Sequence, residues 1–366
     1  MIRTRKVLLD LCLATFSTLI ALLLLEGLCR LAGPPVTADK EFLFHPPFDY
    51  ANCYPREGSD GFPLDLENEQ DRKLFLAHFP EANRVQLLRA RTPRCIMYDR
   101  SPTGARTFIN PNGRQDRIAV LGDSFAFGEG VADDKTFGYQ LAQRRDAFIK
   151  VYAWSGADVE QVEVQFQSAI KEASEFGFKK IIYLFVLNDP LKTEELRREE
   201  SIINEDLMNI HWSRVFFNHG GYIERAFMGL GRRSVMFYRI AHGIILRQAE
   251  RKTIAWYGAV FDERRNPPLT DTFDRIARMD QLSRKRGIDF YLVVYPLMTT
   301  LTDYPLKSAH VSIQRLAFDR GVALVDLLPA FEEHALEALV VHPIDFHPNA
   351  AAHRIAAEAT SRAISH

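Results

Sequence analysis

The sequence has few cysteines, almost no net charge and no nucleotide-binding loop, and each absence excludes a class of protein. Four cysteines in 366 residues are too few for a small disulfide-scaffolded fold, and they form no C-x-x-C pair of a zinc knuckle. The formal net charge is -1, so the strongly basic surface typical of nucleic-acid binders is missing. Neither GxGxxG nor GxxxxGK followed by Ser or Thr is present to hold a phosphate.

The rest of the composition is that of an ordinary globular protein with one long hydrophobic run. Apolar residues make up 47% of the chain and charged residues 25%, which allows a packed core but not many membrane spans. Basic residues precede an apolar run from Leu11 to Leu25. Extended to Val7–Leu28, the segment is long enough to cross ~30 Å of hydrocarbon. Asp10 and Glu26 then lie near its ends, where their side chains can reach the headgroups.

Several interpretations compete for this segment. A cleaved signal peptide requires small residues at its cleavage site, and the sequence Leu-Glu-Gly-Leu-Cys-Arg offers a poor one. A lipoprotein site at Cys29 is disfavoured because Glu26 and Leu28 stand where small residues are expected. A buried helix of a soluble protein is a further alternative. An uncleaved anchor over residues 1–33 fits best. The positive-inside rule then predicts a single-pass protein of the cytoplasmic membrane, with its N-terminus inside and the remaining chain outside, periplasmic or extracellular.

An irregular extension is predicted after the anchor. Pro34 and Pro35 end the N-terminal helix, and residues 34–113 are rich in Pro, Gly, Asn and Arg, with little periodicity. We expect this extension to pack on the main domain. In an oxidising compartment Cys53 and Cys95 could form a disulfide, and two buried free thiols are the alternative.

Residues 114–366 form the predicted main domain, in which five apolar runs predict buried parallel strands. The runs are RIAVLGDS (117–124), FIKVYAWSG (148–156), KIIYLFVLND (180–189), GIDFYLVVYP (287–296) and GVALVDLLP (321–329). A helical pattern that includes Val159 and Phe166 follows the second run and predicts a C-cap at Gly177. Strands that alternate with helices predict a three-layer α/β/α fold with a five-stranded parallel sheet.

A predicted helical insertion at about 191–272 interrupts this alternation. Its aromatic and basic residues are interleaved. The simpler interpretation is that the aromatic side chains pack on the core while the arginines are solvated. The alternative is a lid, or a surface for an anionic partner in the cell envelope.

Polar residues stand where the predicted strands end, which is where parallel sheets bind ligands. Ser124 follows the first strand, Gly156 the second and Asn188 the third, while Asp345 and His347 precede the last helix. A serine at such a turn is exposed at the sheet edge, a histidine can remove its proton, and a carboxylate can fix the imidazole tautomer. A backbone N–H and an amide can hold a tetrahedral oxyanion. Each signal is weak alone, but the combination in this order is specific.

The combination resembles the SGNH (GDSL-type) hydrolase family, including bacterial members with an N-terminal membrane anchor. The best-matching block is VLGDSFAFGEGV (120–131), and the resemblance extends over about 117–363. It implies the flavodoxin-like SGNH-hydrolase fold, with Ser124 as nucleophile and His347 as general base. It also implies an oxyanion hole made by the Ser124 backbone N–H, Gly156 and Asn188.

Two departures from the family pattern bear on the site. The third block usually reads Gly-x-Asn-Asp, and Val186 stands here at the glycine, where it could crowd the pocket or shift the strand end. Many members place the acid three residues before the histidine, which here is Ile344. Asp345 stands two residues before His347, on the same side of an extended segment, so we expect it to serve as the acid. A Ser–His dyad is the alternative.

Histidines near the C-terminus do not predict a metal centre. His342, His347 and His353 are close in sequence, but helical spacing directs His353 away from His347, and a zinc site needs a fourth ligand. We expect no metal and no cofactor. His342 is a less suitable general base than His347, because Pro-Asn and a helix follow the latter.

The sequence therefore favours a membrane-anchored serine esterase or O-acyltransferase that acts through an acyl-enzyme. The resemblance implies acyl esters of envelope carbohydrate or lipid as substrates, so the expected partners are an acylated small molecule, glycan or lipid and the membrane, without nucleic acid. A non-catalytic envelope binding or assembly protein that keeps the fold is the alternative, favoured by Val186 and the shifted Asp345. A cytosolic hydrolase with a buried N-terminal helix is a third hypothesis.

Overall fold

The structure is a computed structural model that describes residues 2–31, 51–54, 62–63, 94–97, 116–209, 234–342 and 345–364. Most of the predicted extension over 34–113 and the middle of the predicted insertion lie outside these residues. The predicted domain boundaries therefore stay a prediction.

A five-stranded parallel sheet forms the centre of the fold, as predicted. Its strands are β4 (Asp116–Gly122), β5 (Ala147–Val151), β6 (Lys180–Phe185), β7 (Asp289–Val294) and β8 (Leu324–Asp326). Their order across the sheet is β5-β4-β6-β7-β8, with every neighbouring pair parallel. Numbered from β4, this is the flavodoxin-like order 2-1-3-4-5. The order reverses at β4, so the carboxyl ends of β4, β5 and β6 surround the crevice where such sheets bind ligands.

Helices cover both faces of the sheet and complete the three predicted layers. Among the described residues, the α-helices that follow β4 are α2 (Ser124–Phe127), α3 (Phe137–Arg145), α4 (Val159–Phe176), α5 (Glu194–Asn209), α6 (Val235–Val260), α7 (Pro268–Arg284), α8 (Lys307–Asp319), α9 (Leu328–Phe331) and α10 (Ala350–Ala363). Helices α4, α7 and α8 pack together in one layer, and α3 packs against α10 in the other. The C-cap of α4 is Gly177 in the left-handed conformation, as the sequence predicts.

Two small antiparallel sheets accompany the central sheet, one before it in the chain and one just before α10. One joins β1 (Ala51–Tyr54), β2 (Phe62–Pro63) and β3 (Arg94–Met97), and the other joins β9 (Val340–His342) to β10 (Asp345–Pro348). The register of the first places Cys53 directly opposite Cys95. Directly opposed residues in antiparallel strands have Cα atoms about 4.5–5.5 Å apart, a separation that a disulfide spans. The backbone thus permits the bond, which stays a prediction.

The N-terminal helix, α1 (Ile2–Leu31), belongs to a separate compact unit that also includes residues 200–253. Its segment Ala14–Leu31 is long and apolar enough to cross a membrane, a property that a signal sequence shares. The Glu26 carboxylate accepts hydrogen bonds from Ser234 Oγ (2.8 Å) and Met236 N (3.0 Å) at the start of α6, and from Arg30 (2.7 Å). Helix N-termini stabilise carboxylates, so these contacts attach the N-terminal part of α6 to α1.

A tight turn at the end of β4 determines where the following residues lie. Gly122 has φ +150°, and a Cβ there would stand 2.7 Å from both Leu184 O and Ala126 Cβ. The buried side chain of Gln165, on α4, accepts a hydrogen bond from Gly122 N and donates one to Gly122 O, each 2.9 Å long. Only glycine adopts this backbone conformation without strain. The two hydrogen bonds with the Gln165 side-chain amide fix the orientation of the Gly122 backbone.

We expect Gly122→Ala to lower the free energy of unfolding by about 2–4 kcal/mol, because the new Cβ meets backbone at a φ that L residues rarely adopt. Thermal unfolding of the full chain in detergent measures the change. Gly258→Ala is the matched control, because Gly258 lies in α6 with nothing within 4 Å of the added Cβ. That control should be neutral or slightly stabilising. Equal melting temperatures for the two variants would show that the β4 turn is not constrained in this way.

Candidate active site

Ser124 lies at the carboxyl end of β4, at the first position of the short helix α2. The preceding residue, Asp123, caps this helix, since its Oδ1 accepts a hydrogen bond from Phe125 N at 2.9 Å. Ser124 is only 8% exposed. The strand-to-helix turn predicted for the nucleophile is therefore present.

Asp123 connects Ser124 to Asn188. The Asp123 Oδ2 atom accepts a hydrogen bond from Asn188 Nδ2 at 3.3 Å and one from Ser124 Oγ at 3.5 Å. The sequence-predicted residues after β4 and β6 thus meet at one carboxylate oxygen. An amide nitrogen carries two hydrogens, so Asn188 retains a second donor for an oxyanion.

Burial raises the pKa of Asp123 to about 6, although hydrogen bonds from Phe125 N and Asn188 oppose this effect. Asp123 is fully buried, and desolvation disfavours the charged form of a carboxyl. His347 lowers the pKa of Asp123 through its charge, whereas the charge of Glu129 raises it. The titration of Asp123 is therefore coupled to both groups.

His347 lies on β10, next to the start of α10. Asn349 fixes this junction, because its Oδ1 caps the helix by accepting hydrogen bonds from Ala351 N and Ala352 N. The imidazole packs edge-on against Phe125, with ring centroids 5.8 Å apart. The His347 side chain is 25% exposed, and its Nε2 atom lies 3.7 Å from Glu129 Oε2. The structure thus brings His347 to the residue that follows Ser124.

Gly156 lies in the turn after β5, at the same edge of the sheet. Its φ is +75°, and no atom lies within 4 Å of where a Cβ would stand. The space beside its backbone is therefore open, which is the condition for close approach of a substrate. The adjacent Ser155 donates a hydrogen bond from its Oγ to Glu129 Oε2 at 2.5 Å.

Val186, which departs from the glycine of the resembled pattern, is fully buried. Strand β6 ends one residue earlier, at Phe185. The turn after this strand is closed by Asp189, whose Oδ2 accepts hydrogen bonds from Val186 N (3.2 Å) and Tyr183 OH (2.9 Å). The Val186 side chain packs in the core. Burial also raises the pKa of the Asp189 carboxyl well above its usual range.

The predicted acid is placed by its backbone alone. Asp345 pairs with His342 in the β9–β10 register, but both side chains lie outside the described part of the structure. The role of Asp345 therefore stays a prediction. Among the described residues, no group of three or more His, Cys, Asp or Glu side chains could hold a metal ion.

Sequence reasoning missed Glu129 and the carboxylate of Asp123. Glu129 is only 6% exposed and contacts both Ser155 and His347. The sequence does contain a signal for Glu129, because this residue stands between Gly128 and Gly130 in the GDSFAFGEGV block. In the structure both glycines have positive φ. A charged residue held between two such glycines indicates a tight turn that can direct a carboxylate inward.

Comparison with solved structures returns SGNH and GDSL hydrolases and carbohydrate esterases. A member of the lipolytic G-D-S-L family from Veillonella parvula is 11% identical, with a TM-score of 0.39 over 68% of this chain and 98% of that one. An acetyl xylan esterase is 11% identical, with a TM-score of 0.38 over 68% and 99%. A carbohydrate esterase family 2 enzyme from Corynascus thermopiles is 14% identical, with a TM-score of 0.37 over 76% and 73%.

No protein-family model and no curated protein sequence matches the chain. Identities and TM-scores as low as those of the solved structures carry no argument about activity.

The raised pKa of Asp123 predicts how stability depends on pH. The rise from 3.8 to about 6 corresponds to roughly 3 kcal/mol. Because the folded chain binds this proton more tightly than the unfolded chain, the contribution of Asp123 is fully present below about pH 4 and is lost as pH rises through about 6. We expect the melting temperature of the wild type to fall relative to that of Asp123→Asn over this range, on the order of 5 °C.

The substitution also changes hydrogen bonding to Asn188, but that effect is a constant offset with pH. Asp134→Asn, at an exposed aspartate, is the control and should run parallel to the wild type. A constant difference between the wild type and Asp123→Asn from pH 4 to pH 7 would contradict the assigned titration.

Proposed function

We propose that this protein is a membrane-anchored serine esterase or O-acyltransferase with Ser124 as its nucleophile. One observation carries the proposal: Ser124, Asn188 and His347 come from three separate segments and converge at the carboxyl end of β4. A nucleophile, an oxyanion donor and a base are the components that acyl transfer requires. Their convergence is what distinguishes a site from an isolated Gly-Asp-Ser turn.

In the proposed reaction His347 Nε2 accepts the proton of Ser124 Oγ as this oxygen attacks an ester carbonyl carbon. The Ser124 backbone N–H, the Gly156 backbone N–H and the Asn188 amide stabilise the tetrahedral oxyanion. The ester C–O bond then breaks, and the proton on Nε2 passes to the leaving alkoxide. In this proposal Asp345 is the acid that orients the imidazole.

The acyl-enzyme can then pass its acyl group to water or to a hydroxyl. Water as acceptor gives an esterase, and a sugar hydroxyl gives an O-acyltransferase. The resemblance to SGNH hydrolases supports small acyl esters of envelope carbohydrate or lipid as the substrate class. Retention at a membrane would keep the site near such substrates.

The proposed location follows from α1. The basic residues at its beginning favour an N-terminus inside and a catalytic domain outside the cytoplasmic membrane. The contacts of Glu26 with Ser234 and Met236 support retention of α1 in the mature protein. Through these contacts the carboxylate of Glu26 is hydrogen-bonded to residues outside α1.

We expect a fluorophosphonate probe to label the full chain in detergent and short-chain aryl esters to be hydrolysed. Ser124→Ala should abolish labelling and lower hydrolysis by at least about 10³-fold, since it removes the attacking oxygen. His347→Gln should lower both by about 10²–10⁴-fold. Ser168→Ala is the control, because Ser168 is exposed on α4 and its loss should change neither.

Asp345→Asn belongs to the same series. A loss comparable to that of His347→Gln would support a triad, and a loss of only a few-fold would support a Ser–His dyad. A folded wild type that neither labels nor hydrolyses esters would overturn the proposal in favour of a non-catalytic binding or assembly protein.

A further inference from the structure

Glu129 is a buried carboxylate that contacts two different segments of the candidate site. It follows α2 in the turn between Gly128 and Gly130, and it is 6% exposed. Its Oε2 atom accepts a hydrogen bond from Ser155 Oγ at 2.5 Å and stands 3.7 Å from His347 Nε2. Glutamate is rarely buried without a charged or hydrogen-bonded partner. Here both kinds of partner meet the same oxygen.

The contact is made on the Nε2 side of the imidazole. The acid of a Ser-His-Asp site holds the opposite nitrogen, Nδ1, so Glu129 does not occupy the position of a triad acid. Nε2 is the atom that takes up and releases the serine proton in the proposed reaction. Glu129 therefore faces the nitrogen whose charge changes during turnover.

A further carboxyl group acts on His347. Asp123, at the end of β4, interacts with it electrostatically, and Asp345 precedes it by two residues on its own strand. Glu129 lies within ion-pair distance of the imidazole, with its Oε2 atom 3.7 Å from His347 Nε2. An opposite charge at such a distance favours the protonated form of an imidazole.

We propose that Glu129 is a positioning residue that stabilises the imidazolium form of His347 from its Nε2 side and so determines the pH above which Ser124 can be activated. The effect on the activation of Ser124 rests on the proposed function. Only a neutral His347 can accept the proton of Ser124, so the ion pair restricts nucleophilic attack to higher pH. Once the proton is on Nε2, the same carboxylate stabilises it until the leaving alkoxide takes it.

The link through Ser155 has a further consequence. Ser155 precedes Gly156, the proposed oxyanion donor, so Glu129 connects the turn after β5 with the segment that carries His347. Loss of this carboxylate should therefore affect the pH dependence of His347 more than the fold of the sheet, because both contacts are made outside the central strands.

The protonation of His347 can be measured without any activity of Ser124. Diethyl pyrocarbonate acylates only neutral imidazole, and peptide mass spectrometry assigns the rate to individual histidines. The rate at His347 is followed from pH 5 to pH 8.5 in the full-length wild type, Glu129→Gln and Glu129→Asp, with the exposed His334 as internal reference. Glu175→Gln is the matched control, because Glu175 is exposed near the end of α4, at the opposite edge of the sheet.

We expect the midpoint at His347 in Glu129→Gln to move down by about one pH unit or more relative to the wild type. Glu129→Asp keeps the charge on a shorter side chain and should give an intermediate midpoint, while Glu175→Gln should not move it. If Glu129→Gln melts below the assay temperature, the downward shift in Glu129→Asp carries the test. Equal midpoints in the wild type and the Glu129 variants would overturn the inference.

Fluorophosphonate labelling of the same samples separates this inference from the proposed function. If Ser124 is the nucleophile, the rising limb of its labelling profile should move down with the His347 midpoint. A shifted midpoint with no labelling of the wild type would retain the Glu129–His347 pair and overturn the esterase. Labelling with an unshifted midpoint would retain the esterase and overturn the role of Glu129.

Discussion

The buried carboxylate of Asp123 is the group around which the carboxyl end of the sheet is organised. It caps α2 through Phe125 N, accepts the amide of Asn188 and lies beside the hydroxyl of Ser124. A carboxyl without solvent needs such partners, and the hydrogen bond from Asn188 links the turn after β6 to the turn after β4. Gly122 and Gln165 fix the strand end from which this arrangement begins.

Two buried acidic side chains therefore act on one imidazole. Asp123 and Glu129 both interact with His347, and the low local dielectric strengthens each interaction. The protonation state of His347 is consequently a property of the whole cluster. This explains why assigning Ser124 and His347 from sequence does not by itself predict the pH at which the pair would react.

The sequence predicted the sheet because its strands are unusually apolar. The run KIIYLFVLND contains β6, which is buried between β4 and β7. Inner parallel strands are continuous apolar runs, so their sequence pattern is easily recognised. All five runs extend beyond the strands that they contain, and the second and fifth do so most, since β5 ends at Val151 and β8 spans only Leu324–Asp326. Strands β5 and β8 lie at the two edges of the sheet. An edge strand is hydrogen-bonded to a neighbouring strand on one side only, so a shorter part of its sequence is held as a strand.

The placement of three candidate residues was predictable, because each one stands just after a strand. Ser124, Gly156 and Asn188 each follow a strand, so topology alone brings them to one edge. Glu129 follows no strand, and its burial arises from a turn that directs a surface-type residue inward. Burial, and not residue identity, gives Asp123 its raised pKa, and burial cannot be deduced from a local motif.

Trapping the acyl-enzyme tests the central claim most directly. The full-length chain is mixed with 4-nitrophenyl acetate, quenched in acid within the first turnovers and digested, and fragmentation mass spectrometry locates any acetyl group. An acetyl ester on Ser124, lost in Ser124→Ala, is the predicted result. Ester hydrolysis by folded protein with the acetyl group on another residue, or with none on Ser124, would contradict the assignment of this serine as the nucleophile.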